Sequence, residues 1–365
     1  MKKTLSMLLA LILSLSLLAM PASAAENDVM VIMPSPSASA ATPRSTAEAL
    51  KYLGLFRGSD KGFELDRAPT RMEAIIMLIR LLGKENMIYG DENGNPHVHP
   101  FTDAPGWQDA SEYLGYAYAS GLTNGTSATT FEPDAPASAQ MIATFTLRAL
   151  GYTDTDEVKI WNIWAEKAAE IGLTTESAGE VYTRGDAVML YWDALYCKMN
   201  GTEQLLHENL VENYVFHEDA MAVALQLRDN TIDLATSDVG TIMAALYAKM
   251  PVTFYSIGYT PLSMEDADGL NWYIGTSDVD FTEGMSAEPM MMAQAHSVSL
   301  LRLKNAADAE KVMAAMKAGV DPRKWVCVGV EPENIKTVAI GDLVLLVMDN
   351  QYSQNFIDVL QSMAK

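Results

Sequence analysis

The chain has 365 residues, 49% of them hydrophobic, and 25 basic side chains face 47 acidic ones, for a net charge of −22. A surface that acidic repels nucleic acid and anionic lipid, which excludes both as general partners. Two cysteines are too few for a disulfide scaffold, and the length allows two packed domains.

Lys2-Lys3, the apolar run from Leu5 to Ala19, Pro21 and the small-residue site Ala22-Ser23-Ala24 read as a secretory leader over 1–24. A membrane anchor needs about 20 apolar residues, and no Cys stands beside the site to carry a lipid. Cleavage leaves a chain without a membrane span. Residues 25–44, with Met33-Pro34-Ser35-Pro36, are small, Pro-bearing and aperiodic, so they read as a disordered linker.

From 45 to 201 one order of parts recurs: helix, glycine turn, short loop, second helix. The first copy, about 45–84, carries Gly54-Leu55, Gly58, Phe63-Glu64-Leu65-Asp66, Thr70-Arg71-Met72-Glu73 and Leu78 to Gly83. The second, about 100–152, carries Phe101-Thr102-Asp103, Trp107, Gly121-Leu122, Gly125, Phe131-Glu132-Pro133 and Leu147 to Gly151. The third, about 154–200, is more worn: Trp164-Ala165, Gly172-Leu173, Thr183-Arg184-Gly185-Asp186 and Leu190 to Leu195. Helical hairpins this small cannot each bury a core, so three copies imply a shared one.

Thr70 with Glu73 three residues on is a capping box, and Thr183 with Asp186 repeats it. Arg71 and Arg184 then fall in the first helical turn, where a cation opposes the helix dipole. Either an anion is held between the guanidinium and free helix amides, or each Arg is a surface residue paired with a carboxylate. The second copy has Ser138, Ala139 and Met141 at the matching positions and lacks the Arg. Trp107 is either core or a sugar-stacking platform. Between the first two copies, Asp91 to Asn95 lacks the closing acid of a calcium loop, and His97 and His99 lack further ligands, so this segment reads as a solvated connector.

Aromatic-x-Asp, Trp, Gly-Leu-x-x-Gly, Phe-x-Pro and Thr-Arg-x-Glu, in that order, resemble the S-layer homology domain. The resemblance implies a mostly helical, pseudo-threefold module that docks on anionic secondary cell-wall polysaccharide of Gram-positive bacteria, pyruvylated forms included. Asp103, Trp107, Thr70, Arg71, Thr183 and Arg184 are its expected polymer contacts. The protein would then lie in the wall or surface layer.

Residues 202–217 read as a connection, and 218–365 as a C-terminal domain. A helical face at Val239, Ile242, Met243 and Leu246 stops at Pro251. Strands are predicted at 252–259, 297–303, 325–330, 337–340 and 343–348, with helices around 309–316 and 356–363. The fold class expected is α+β overall, the C-terminal part being a small α/β sandwich with a mixed sheet. Met290, Met291 and Met292 read as adaptable packing.

Ser286 to Met291, Asp321-Pro322-Arg323-Lys324-Trp325 and Gly341 to Leu346 resemble a small domain family of unassigned function on exported Gram-positive proteins. Asp321, Arg323, Lys324 and Trp325 form a polar-aromatic cluster that either binds a ligand or stops a helix and fills the core. No catalytic motif, metal set or cofactor site stands out. A non-catalytic displayed module is therefore expected, against the alternatives of a wall hydrolase or a ligand sensor.

Overall fold

A computed structural model describes residues 41–364, apart from Asp60 and Ala178. The expected leader and most of the expected linker lie outside the described residues. The linker does not reach Arg44, because Thr42 caps a helix, α1 (Pro43–Tyr52), that begins at Pro43. The described residues form twelve α-helices and one five-stranded antiparallel sheet, an α+β fold.

Three helix pairs come first: α1 with α2 (Arg71–Leu81), α3 (Ala110–Ala119) with α4 (Ala139–Ala149), and α5 (Ile160–Ile171) with α6 (Arg184–Leu195). Helix α2 packs on α3 and α4, α4 on α5 and α6, and α6 returns to α1, so neighbouring pairs share their apolar faces. Leu50, Ile75, Leu78, Leu114, Phe131, Ile142 and Leu190 are wholly buried. The turn into the first loop needs glycine at 58, because a Cβ there would sit 2.4 Å from the Gly62 carbonyl oxygen.

The expected connection at 202–217 is folded: it contains α7 (Leu206–Glu212), with Leu206 and Leu210 buried. Next, α8 (Ala220–Arg228) and α9 (Val239–Lys249) both pack on α1. The Lys51 ammonium, at the end of α1, donates to the carbonyls of Tyr247 (3.1 Å), Met250 (2.7 Å) and Val252 (2.7 Å), capping the C-terminus of α9. Glu48 accepts from both Arg44 (2.7 Å) and Lys249 (2.8 Å).

The remaining elements are β1 (Ile257–Pro261), α10 (Ala267–Ile274), β2 (Phe281–Pro289), β3 (His296–Leu303), α11 (Ala309–Gly319), β4 (Ile335–Ile340), β5 (Leu343–Asp349) and α12 (Ser353–Met363). The strand order is β1-β2-β3-β5-β4, with α9 and α12 on one face and α10 and α11 on the other. The mixed sheet expected from sequence is corrected, since every neighbouring pair is antiparallel. The Gly341-Asp342 turn folds β5 back between β3 and β4, so the crossover through α11 never makes adjacent parallel strands. An apolar run such as Leu343 to Met348 reports burial on both faces and says nothing of strand direction.

Other expectations also change. Residues 325–330 form a loop, with Cys327 at φ 61° and Val326 61% exposed. The strand expected at 252–259 is confined to Ile257–Pro261, since Ser256 sits at φ 54° and Lys51 holds the chain before it. Strand β2 carries a register shift between Phe281 and Glu283, which blurs the alternation that would have marked it. Met290 and Met291 are 78% and 67% exposed, not packing.

Candidate functional site

The two Thr-Arg helix starts build the same structure twice. At α2, the Arg71 and Met72 amides donate to the carbonyls of Ala135 (2.9 Å) and Pro133 (3.0 Å), while Thr70 accepts from the Glu73 amide (3.1 Å). At α6, the Arg184 and Gly185 amides donate to the carbonyls of Arg67 (2.8 Å) and Leu65 (2.9 Å), and Thr183 accepts from the Asp186 amide (3.1 Å). Each helix therefore receives the loop of another helix pair at equivalent positions. The orphan amides that would have gripped an anion are already satisfied.

The guanidinium groups complete each clasp. Arg71 Nε donates to the Phe131 carbonyl at 2.7 Å, and its Cζ lies 4.8 Å from the Phe131 ring centre. Arg184 Nε donates to the Phe63 carbonyl at 2.9 Å, with its Cζ 5.5 Å from the Phe56 ring centre. Arg71 is 3% exposed and Arg184 4%. Both expectations for these residues, an open anion grip and a surface ion pair, are corrected: they are internal fasteners, each satisfying a carbonyl that the approaching loop would otherwise bury unpaired. At α4, Ala139 stands in the Arg position and Ser138 caps only the Met141 amide, at 3.3 Å.

The carboxylates around the clasps are correspondingly perturbed. Burial disfavours the Asp103 carboxylate, but the Glu132 and Phe131 amides and nearby Arg71 outweigh it and hold its pKa low. Asp103 thereby fixes Glu132 at φ 58°. Glu73 is held low against its own burial by Arg67, the Thr70 amide and Arg184, whose Nη1 lies 3.7 Å away. Glu64 is lowered from 4.5 to about 2 by hydrogen bonds from Arg67 and Ser59. A depressed carboxylate stabilises the fold fully above its ordinary pKa, and that contribution fades as pH falls toward the folded value. The thermal midpoint is expected to fall from about pH 4.5 to about 2, less steeply in Glu64→Gln. Circular dichroism melts of both proteins across that window check this, and superimposable profiles would refute it.

Trp107 is 46% exposed and stands ahead of α3, its ring 6.3 Å from that of Tyr113. It is not core, and it belongs with Tyr113, whose hydroxyl donates to Glu85 (2.5 Å), rather than with the Arg71 clasp.

In the C-terminal part, the expected cluster divides. Asp321 caps the Arg323 amide (2.8 Å), and both residues face solvent. Lys324 points inward: its ammonium lies 2.5 Å from Glu288, donates to the Trp272 carbonyl (3.0 Å), and sits among the rings of Trp325, Trp272 and Tyr273 at 5.2 to 5.7 Å. Trp325 is 5% exposed, in the core. The four residues do not converge on one open pocket.

Sequence inspection missed a buried chain: the Tyr247 hydroxyl is 2.7 Å from His296 Nε2, and His296 Nδ1 is 2.7 Å from Asp349. His296 is wholly buried and stacked on Phe254 at 4.6 Å. Its only sequence signal was a His opening an apolar strand. Among the described residues no group of three His, Cys, Asp or Glu is placed to hold a metal ion, and no helix is long and apolar enough to cross a membrane.

Residues 100–138, which contain Asp103, Trp107, Phe131 and Glu132, match the S-layer homology domain. A protein of Thermoanaerobacter kivui named "Cell surface protein" is 26% identical over 268 residues, covering 67% of this chain and 33% of its own length. The chain thus spans about a third of that relative.

Proposed function

We propose that this chain is an exported surface protein, held non-covalently to an anionic secondary wall polysaccharide by its three helix pairs and displaying the C-terminal sheet as a non-catalytic module. The observation that carries this reading is the repeated clasp. The S-layer homology match ends at 138, yet loops 63–67 and 131–135 meet a Thr-Arg helix start with the same bonds, as copies of one unit would. The relative's name agrees with a surface location. The Tyr247–His296–Asp349 chain is sealed from solvent, which favours a structural duty for it over catalysis.

An acidic protein can still hold an acidic polymer. Screening confines general repulsion to about 8 Å at physiological salt, while each charge-assisted contact contributes about 1.5–3 kcal/mol. With the clasp arginines turned inward, those contacts would have to come from cations other than Arg71 and Arg184, with the exposed Trp107 offering an uncharged stacking face.

Full-length mature protein is expected to sediment with purified Gram-positive walls and to stay in solution once the secondary polymer has been stripped from them. Equal retention on stripped peptidoglycan would overturn the assignment.

A further inference from the structure

Among the described residues Lys324 is the only buried lysine. Helices α10 and α11 prepare its place by ending against each other, so closely that a Cβ at Gly319 would lie 1.9 Å from the Gly275 carbonyl oxygen. The chain after α11 then sets Lys324 among Trp272, Tyr273 and Trp325, facing Glu288 of β2. Its Nζ stands 2.5 Å from Glu288 Oε1, and the two side chains are only 1% and 14% exposed. This contact is not aligned as a hydrogen bond: among the described residues Oε1 has no hydrogen-bond partner. Oε2 faces the Trp272 indole N–H at 3.4 Å, while the Trp272 carbonyl accepts from Nζ at 3.0 Å. Burial pushes the pKa of Lys324 down, against the pull of Glu288 and Asp321, which favours the free amine. A nucleophile and an acyl carbon are thus held together where water has little access.

The geometry points to an internal amide formed between Lys324 Nζ and Glu288 Cδ. Inside the aromatic box a pair of charges is costly, so a proton passes from the ammonium to Oε1 and leaves a neutral amine beside a neutral acid. Nζ then attacks Cδ, and negative charge gathers on Oε2, next to the Trp272 N–H. A second proton moves from Nζ to Oε1, the Cδ–Oε1 bond breaks, and water leaves. No oxidant or other reactant is needed. Well-oriented groups within one molecule reach effective molarities of about 10⁵–10⁸ M, and one turnover per molecule demands no speed. Exclusion of water then protects the product from hydrolysis. The bond closes the chain from 288 to 324 and ties the 325–330 loop to the sheet, in a protein whose two cysteines are both free. Such a closure stabilises by restricting the unfolded chain.

The test is the intact mass of the purified full-length mature protein, followed by tryptic mapping. The mass is expected to fall short of the sequence mass by one water. Trypsin does not cut at an acylated lysine, so the map should contain fragment 250–302 joined to fragment 324–336. Lys324→Arg keeps a cation among the rings but offers no amine; it should show the full sequence mass and a lower urea midpoint. A full sequence mass in the unaltered protein, a water lost at other residues, or the same loss persisting in Lys324→Arg would each overturn the inference and leave an ordinary buried ion pair. Should the variant fail to fold, the tryptic map of the unaltered protein decides.

Discussion

Arg71→Met is expected to lower the unfolding free energy by about 2–4 kcal/mol, in the absence of any polymer. Methionine fills much of the same volume, so the loss comes from two sources. The Phe131 carbonyl, which accepts at 2.7 Å from Arg71, is left buried and unpaired, and the cation over the Phe131 ring is gone. Arg184→Met should behave alike, since it strips the Phe63 carbonyl in the same way. Urea titration checks this: the midpoint should drop while the slope stays constant, because the surface exposed on unfolding hardly changes. Unchanged midpoints combined with lost wall retention would instead return these arginines to the polymer. Charge reversal at Arg71 and Arg184 is a poor probe of anchoring, because a carboxylate buried against a carbonyl would disrupt the fold first.

His296→Leu is the second large effect, expected to cost about 3–5 kcal/mol. It leaves the Asp349 carboxylate and the Tyr247 hydroxyl buried without their shared partner. Asp349 keeps the Gln351 and Tyr352 amides, at 2.7 and 2.5 Å, so its charge is only partly compensated. Tyr247→Phe, which removes one neutral hydrogen bond, should cost only about 0.5–1.5 kcal/mol. Chemical denaturation of the two variants side by side distinguishes a linked buried chain from ordinary packing, and equal losses would refute the linkage. The damage should appear in the C-terminal sheet, where His296 opens β3 opposite Asp349 at the end of β5.

Much of the helical half was legible because its signals are local. A capping box needs only Thr70 and Glu73 three residues apart, and the structure forms it as the spacing requires. The apolar faces of α2, α6 and α9 follow from a 3.6-residue period, and β5 from a short apolar run bounded by Gly341 and Asn350. The α+β class follows from those elements alone.

Which groups a side chain faces is not a local property, and there the sequence misled. Thr-Arg at a helix start looks the same whether the guanidinium meets solvent, a polymer or the carbonyl of a loop about 60 residues ahead or 121 behind. Lys324 and Trp325 are neighbours of Asp321 and Arg323 in the chain, but the loop turns the first two inward and leaves the others in water. Strand direction was equally hidden, because burial by helices on both faces writes the same apolar run into parallel and antiparallel strands. Sequence determined the helices, their caps and the recurrence of the unit, since those arise from interactions within a few residues. Tertiary structure alone decided that the arginines fasten the fold, that α1 joins both halves, and that His296 is sealed between Tyr247 and Asp349, since each depends on segments brought together from distant parts of the chain.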